Sequence, residues 1–478
     1  MNDRIKRQLA LRPVGPVPAV LALLVLIASI ALLASPLYPL AFLPALAMLA
    51  ALFLFLYQRA AYLFLIFLFP FRDYITFGDV RVIGELSIQK FLGFWLFIVL
   101  GFMVLFRKKT SQSRTNFWPW LLFFFLINGA AALLSPYPSQ SYAFLYKMLT
   151  PFILFVLTLA YIDRETFVRY LPRIFVASVF LSFVWTIVRS LGSGGLTSFV
   201  DTFFALGPNA YSIILVFPLP LLAHRCAFAT TSAKRLFYLL LILVNVSGVI
   251  LVQSRGGTII MLFSLAAVLY EFRKRFIPIH LGIMISACLA VLVMVMFFVP
   301  SSYWERQKTL AAGKSDLSIS ARASYITVAF DSWRENPIFG TGPGTFIEVY
   351  KKTDLALERH LQTWGELGRF AHNTYLEVLV GTGTLGLLFY LAIVLLALQK
   401  FHQAKMEFQR QQQEKMASLV NAYRLSFLVM LISYFLISDF FHHYFWISLA
   451  LSQAALTLST TPGSGDEPAI PDHAMRFD

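Results

Sequence analysis

About fourteen apolar stretches, each near the length of about 20 residues that crosses a bilayer, follow one another between residues 16 and 459. They run near 16–35, 38–57, 59–71, 90–106, 117–135, 145–162, 170–189, 207–224, 235–253, 256–270, 276–299, 373–399, 420–438 and 441–459. The third and tenth are the shortest. In hydrocarbon, such stretches satisfy their backbone polar groups as helices. The expected fold class is therefore all-α: a polytopic integral-membrane helical bundle of about 12–14 transmembrane helices. The first stretch runs straight into the second with no small-residue cleavage site, so it reads as a span and not as a cleaved leader. Residues 460–478 turn to Gly, Pro, Ser and acids and read as a disordered tail.

Composition agrees with this class. The chain is 58% hydrophobic and 13% charged, with a mean hydropathy of +0.72, too apolar for a water-soluble globule. Cys226 and Cys288 both lie in or beside apolar stretches, which leaves no disulfide framework and no metal-ligand spacing. A formal charge of +15 invites nucleic acid. However, no basic stripe interleaves with stacking aromatics, and excess Lys and Arg in a membrane protein collects in cytoplasmic loops. No nucleic-acid partner is expected.

Charge also sets the expected topology. With Arg4, Lys6 and Arg7 in the cytoplasm, alternation puts Arg107-Lys108-Lys109, Lys234-Arg235, Arg273-Lys274-Arg275 and the 400–415 segment inside. The short outer loops and their edges carry only Arg72, Arg81, Lys90, Lys147, Arg189 and Arg255. Both termini are then cytoplasmic. One outer segment, 300–372, is much longer than the rest, and long loops are exempt from the charge bias. It does not read as disordered. Ile319, Ala323, Ile326, Phe330 and Trp333 recur at helical spacing, with Ser320, Ser324 and Asp331 opposite and Arg322 at the border. Leu357, Leu361, Trp364 and Leu367 suggest a second amphipathic helix, and both would lie at the membrane surface. Between them, 336–344 is a run of turn residues, Asn-Pro-Ile-Phe-Gly-Thr-Gly-Pro-Gly.

Three outward-facing features could carry chemistry. Ser254-Arg255-Gly256-Gly257 holds a guanidinium beside two glycines, which would let side chain and close-approaching amides meet an anion such as a pyrophosphate. Its bland reading is an interfacial Arg snorkelling from a tight turn. Arg322 has the same two readings. His372-Asn373 stands where the long loop re-enters the membrane, followed by Tyr375, Glu377 and then Gly381, Gly383 and Gly386. An interfacial His is most often a mere amphipathic side chain. The glycines, by letting another helix pack closely, would fix this one, and fixed geometry is what a general base requires.

Ser-Arg-Gly-Gly, the stretch 336–346, and His-Asn followed after nine residues by Gly-x-x-Gly together resemble the O-antigen ligase and polymerase superfamily, GT-C-like integral-membrane glycosyltransferases. The likeness is detailed over about residues 205–400. It implies N-terminal spans in 1–204, a catalytic transmembrane region in 205–459 that includes a periplasmic loop 300–372, and a cytoplasmic tail 460–478. It further implies a metal-independent, inverting transfer needing no cofactor, at the periplasmic face of the bacterial inner membrane. The donor would be a glycan on undecaprenyl pyrophosphate, and the acceptor a lipid A–core or a growing glycan. Arg255 and Arg322 match the pyrophosphate-binding positions and His372 the base. Ser254, Gly256, Asn373, Tyr375 and Glu377 would support them. The chain departs from the ligases by about two extra spans, which leaves ligase and polymerase both open.

The residues themselves agree on several points. No Asp-x-Asp pair occurs anywhere, so a metal-bridged nucleotide-sugar site lacks its usual ligands. No P-loop is present, and the first outer loop, 35–39, has no carboxylate. A flippase or exporter of lipid-linked glycans is the rival from another class, but it should carry mid-span charges facing a cavity. A scaffold would not need the long loop with its Arg, Gly and His residues.

Overall fold

The computed structural model describes residues 54–71, 88–106, 115–192, 207–252, 254–273, 317–363 and 367–461, with a few isolated positions nearer the N-terminus. Residues 1–62 and 63–478 form separate compact units, and the second carries everything below. The expected spans 16–35, 38–57 and 276–299 lie outside the described residues, apart from isolated positions in the first two.

Among the described residues there are helices and no strand. The membrane-length elements are α1 (Ile88–Phe106), α2 (Phe117–Leu133), α3 (Pro138–Tyr161) and α4 (Leu171–Gly192). Next come α5 (Gly207–Val216) and α6 (Leu219–Ala227), which together make one span broken at Phe217-Pro218, then α7 (Ser232–Leu251) and α8 (Arg255–Phe272). The long loop contributes α9 (Leu317–Glu335), α10 (Phe346–Lys351) and α11 (Asp354–Thr363). The chain closes with α12 (Thr374–Arg410), α13 (Glu414–Ser433) and α14 (His443–Thr460). Among the described residues eight helices are long and apolar enough to cross a membrane, and the protein is a multi-pass membrane protein. The short tenth stretch is a full helix, α8, whereas the third is only the ten-residue helix Gln58–Phe67. α3 begins seven residues before the expected start at 145, because Pro138 takes the first-turn position where a missing N–H costs nothing.

The core is aromatic. Tyr390 of α12 stacks on Phe445 of α14 (5.7 Å, 23°), and Phe124 of α2 stacks on Phe440 (5.8 Å, 28°). Rings of this size bury much apolar area, with the offset and edge geometries their quadrupoles favour. Around this core the outer faces of α1 to α4 stay apolar and exposed, as lipid-facing surfaces do.

The element that positions the site is a break in α12. Gly383 has φ 63° and ψ −165° inside an otherwise continuous helix. The turn residues 337–344 dock into that break. Thr341 N–H donates to Val380 O (2.8 Å) and Gly342 N–H to Gly381 O (2.9 Å). In return Thr384 N–H donates to Pro337 O (2.8 Å) and Leu385 N–H to Ile338 O (3.4 Å). A Cβ on Gly340 would strike the Val380 carbonyl, and one on Gly383 would strike that of Ile338. On its far side the loop is held by Ser135 Oγ, which donates to Thr341 O (2.7 Å). The glycines after His372 thus serve a different purpose from the one expected. Gly381 and Gly383 admit loop backbone and free span amides to bond it, where close helix packing was anticipated.

The first loop helix packs on the protein through the face opposite its apolar stripe, a face the periodicity does not mark. Its buried face is Ala321, Tyr325, Val328, Ala329 and Ser332, while Ile326 and Phe330 are exposed. Small residues let α9 sit close on α12, and Tyr325 joins Phe346, Tyr350 and Val380 in one cluster. Trp333 Nε1 pins its end to Thr384 Oγ1 (3.0 Å).

Candidate active site

α8 starts with Ser254 as its N-cap, the hydroxyl accepting from Gly257 N–H (2.9 Å) and donating to Asn209 Oδ1 (2.6 Å). The amide of Gly257 is therefore taken by the cap and is not offered to an anion. The two glycines serve packing instead. A Cβ on Gly256 would stand 3.3 Å from Asn209 Oδ1 and 3.3 Å from Leu436, and one on Gly257 would collide with Ser212. Close packing against α5 fixes the first turn of α8, and with it the half-buried Arg255.

α9 then carries a second guanidinium to the first. Arg322 is half-buried, and its pKa lies below the ordinary value, first because of burial and next because of the Arg255 charge beside it. Among the described residues no carboxylate pairs with Arg322. Two cations held together in a partly dehydrated setting repel, and a multiply charged anion between them removes that cost. One turn further along α9, Tyr325 packs on the His372 ring, with centroids 5.9 Å apart at 43°. A single helix face thus joins Arg255, Arg322 and His372, which are far apart in sequence.

His372 is exposed and has φ 47°, a left-handed conformation that costs a non-glycine residue about 1–2 kcal/mol. Hydrogen bonds on both sides hold it there. Ala371 N–H donates to Glu377 Oε1 (2.7 Å), and Asn373 N–H to Ser438 Oγ (3.1 Å). Asn373 caps α12, its Oδ1 accepting from Tyr375 N–H (3.0 Å) and Leu376 N–H (3.1 Å). Thr374 is tied to the segment after α13 through Tyr434 O (2.8 Å) and Ile437 O (2.8 Å). Tyr375 reaches the same helix end, donating to Leu431 O (2.8 Å). A strained residue over-determined by its surroundings is a common mark of a functional position.

Each candidate from the sequence has a place in this arrangement. Ser254 and Asn373 are caps, Gly256 is a packing position, Tyr375 and Glu377 are tethers, and Arg255, Arg322 and His372 converge. Sequence reasoning missed Tyr325, which links base and arginines, and Asn209 and Ser212, which set the start of α8. The motif suggests an anion-facing Gly257, and the structure makes it a packing position against Ser212. Among the described residues no three His, Cys, Asp or Glu side chains cluster as metal ligands would. The expected cysteine Cys288 is outside those residues, and Cys226 is buried and free.

The stretch that builds this geometry is also the one that comparison identifies. Residues 237–391 match the O-antigen ligase family model. No curated protein matches the chain. The matched stretch runs from α7 into α12, so it contains Arg255, Arg322, His372 and the docked glycine loop. The resemblance read from the motifs holds there, and the packing partners in α2, α3, α13 and α14 lie outside it.

Proposed function

We propose that this protein is an inverting glycosyltransferase of the bacterial inner membrane. It moves a glycan from undecaprenyl pyrophosphate to an acceptor sugar at the periplasmic face, as an O-antigen ligase with a lipid A–core acceptor. The observation that carries this reading is α9 itself, with Arg322 beside Arg255 and Tyr325 against His372 one turn later. His372 takes the proton of an acceptor hydroxyl. The freed oxygen attacks the anomeric carbon from the face opposite the leaving group. The bond from that carbon to the pyrophosphate oxygen breaks, and its electron pair leaves on undecaprenyl pyrophosphate. Arg255 and Arg322 balance the charge that develops there. The leaving group is already activated, so the residues named need neither cofactor nor metal to complete the step. The catalytic region is then 205–459, with 460–478 as a cytoplasmic tail.

The test is transfer from purified undecaprenyl-pyrophosphate glycan to lipid A–core in proteoliposomes, with chelator present. His372→Ala should lower the rate about 10²–10⁴-fold, the usual worth of a general base, while donor binding persists. Wild-type rates in that variant, or loss of transfer on adding chelator, would refute the mechanism. Movement of labelled lipid-linked glycan across the bilayer without transfer would favour an exporter.

A further inference from the structure

A second recess lies on the opposite face of α12 from the arginines. It is a cavity of about 730 Å³ between α1, α3, α12 and α14, within the usual range of small-molecule sites. Thr374, Glu377, Val378 and Thr382 of α12 line it, and their spacing of three and four marks one helix face. Leu376 and Val380 lie on the other side of the helix, packed into the Tyr325 cluster. The first turn of α12 therefore stands between the cavity and the Tyr325 cluster, and His372, packed on Tyr325, lies two residues before that turn. Phe370, just before that histidine, also lines the cavity.

The walls have a definite chemistry. Most are hydrocarbon, including Phe91, Phe94, Leu154 and Leu157, and Phe91 and Phe94 are more than half exposed on the flank of α1. Two amines, Lys90 at the start of α1 and Lys147 on α3, line the same space, against the single carboxylate of Glu377. Lys147 is nine residues past Pro138, about 14 Å down the helix at 1.5 Å per residue. It makes no ion pair among the described residues. An ammonium on the wall of a mostly apolar recess is a ready partner for an anionic group.

We infer that this cavity is the acceptor site, and that it takes a membrane glycolipid with anionic groups on its sugar head. Acyl chain lies between α1 and α3, the anionic head meets Lys147 and Lys90, and the acceptor hydroxyl reaches the 370–374 turn. The assignment rests on the glycosyltransferase reading, because transfer needs a second substrate on the side of the base away from the pyrophosphate. A site of this kind keeps both lipid tails in the bilayer without making them share a groove.

Binding separates this assignment from the transfer reading. Native mass spectrometry of the full chain would be run with three probes in turn: a lipid A–core glycolipid, phosphatidylglycerol and undecaprenyl pyrophosphate. Lys147→Glu reverses the charge, and Ala143→Trp fills the cavity from an exposed position on its wall. Both should cut glycolipid retention at least about tenfold, one by reversing a charged contact and the other by filling the space, and leave undecaprenyl pyrophosphate bound. Lys147→Arg should restore retention. In the transfer assay the same variants should raise KM for the acceptor and spare KM for the donor. Equal retention of phosphatidylglycerol and glycolipid would overturn the assignment, leaving an ordinary anionic-lipid site. Loss of undecaprenyl pyrophosphate would hand the cavity to the donor, and unchanged glycolipid retention would remove it from binding altogether. Failure of transfer with binding intact would count against the glycosyltransferase reading alone.

Discussion

Replacing Gly383 with alanine tests whether docking of the glycine loop into α12 holds the site together. The backbone there, φ 63° and ψ −165°, falls in a region essentially reserved for glycine, where another residue costs about 1–3 kcal/mol. The added Cβ would also strike the carbonyl of Ile338 and the amide nitrogen of Phe339, so relief requires the loop to move away. Four backbone hydrogen bonds join the two segments, and at roughly 0.5–1.5 kcal/mol each their sum is about 2–6 kcal/mol. Losing about 3 kcal/mol would lower the docked-to-undocked ratio by roughly two powers of ten. Trp333 and α9 hang from the same region through Thr384, so Arg322 and Tyr325 should lose their register with Arg255 and His372. The expected result for Gly383→Ala is faster tryptic cleavage at Arg334 and Lys351, with transfer reduced about a hundredfold. Gly129→Ala is the control, since nothing lies within 4 Å of a Cβ on that α2 glycine. Wild-type proteolysis and transfer in Gly383→Ala would refute the docking argument, as would equal damage from Gly129→Ala.

Arg255→Lys should lower transfer about 10–100-fold despite keeping the charge, because an ammonium cannot make the paired contacts of a guanidinium. Arg322→Lys should do the same, and the double variant should lose less than the product, since both side chains would grip one pyrophosphate; strictly multiplicative losses would separate the two arginines. In a background free of Cys226 and Cys288, Lys352→Cys should react with a membrane-impermeant thiol reagent in intact spheroplasts and Gln409→Cys should not; the reverse pattern would invert the topology.

The sequence alone determined the class and the regions of interest, because both are written in local chemistry. An apolar stretch near bilayer length has few alternatives to a helix, which is why α1, α2, α8 and α12 begin within a few residues of where hydropathy put them. Arg255, Arg322 and His372 were also legible, since a guanidinium or imidazole at the edge of an apolar run is conspicuous. Their convergence was not legible. It depends on α9, and the periodicity of α9 pointed to its exposed face, Ile326 and Phe330, while the packed face carries Ala321, Tyr325 and Ser332. Hydropathy ranks residues by transfer to oil, whereas close approach in a helical bundle favours small side chains and a tyrosine that can reach a partner. The glycines after His372 misled for a related reason. A Gly-x-x-Gly spacing signals close approach without naming what approaches, and only the tertiary structure set a loop backbone there in place of a helix. The strained φ of His372 is likewise a product of the fold, imposed by Glu377 and Ser438 from outside the peptide that bears it.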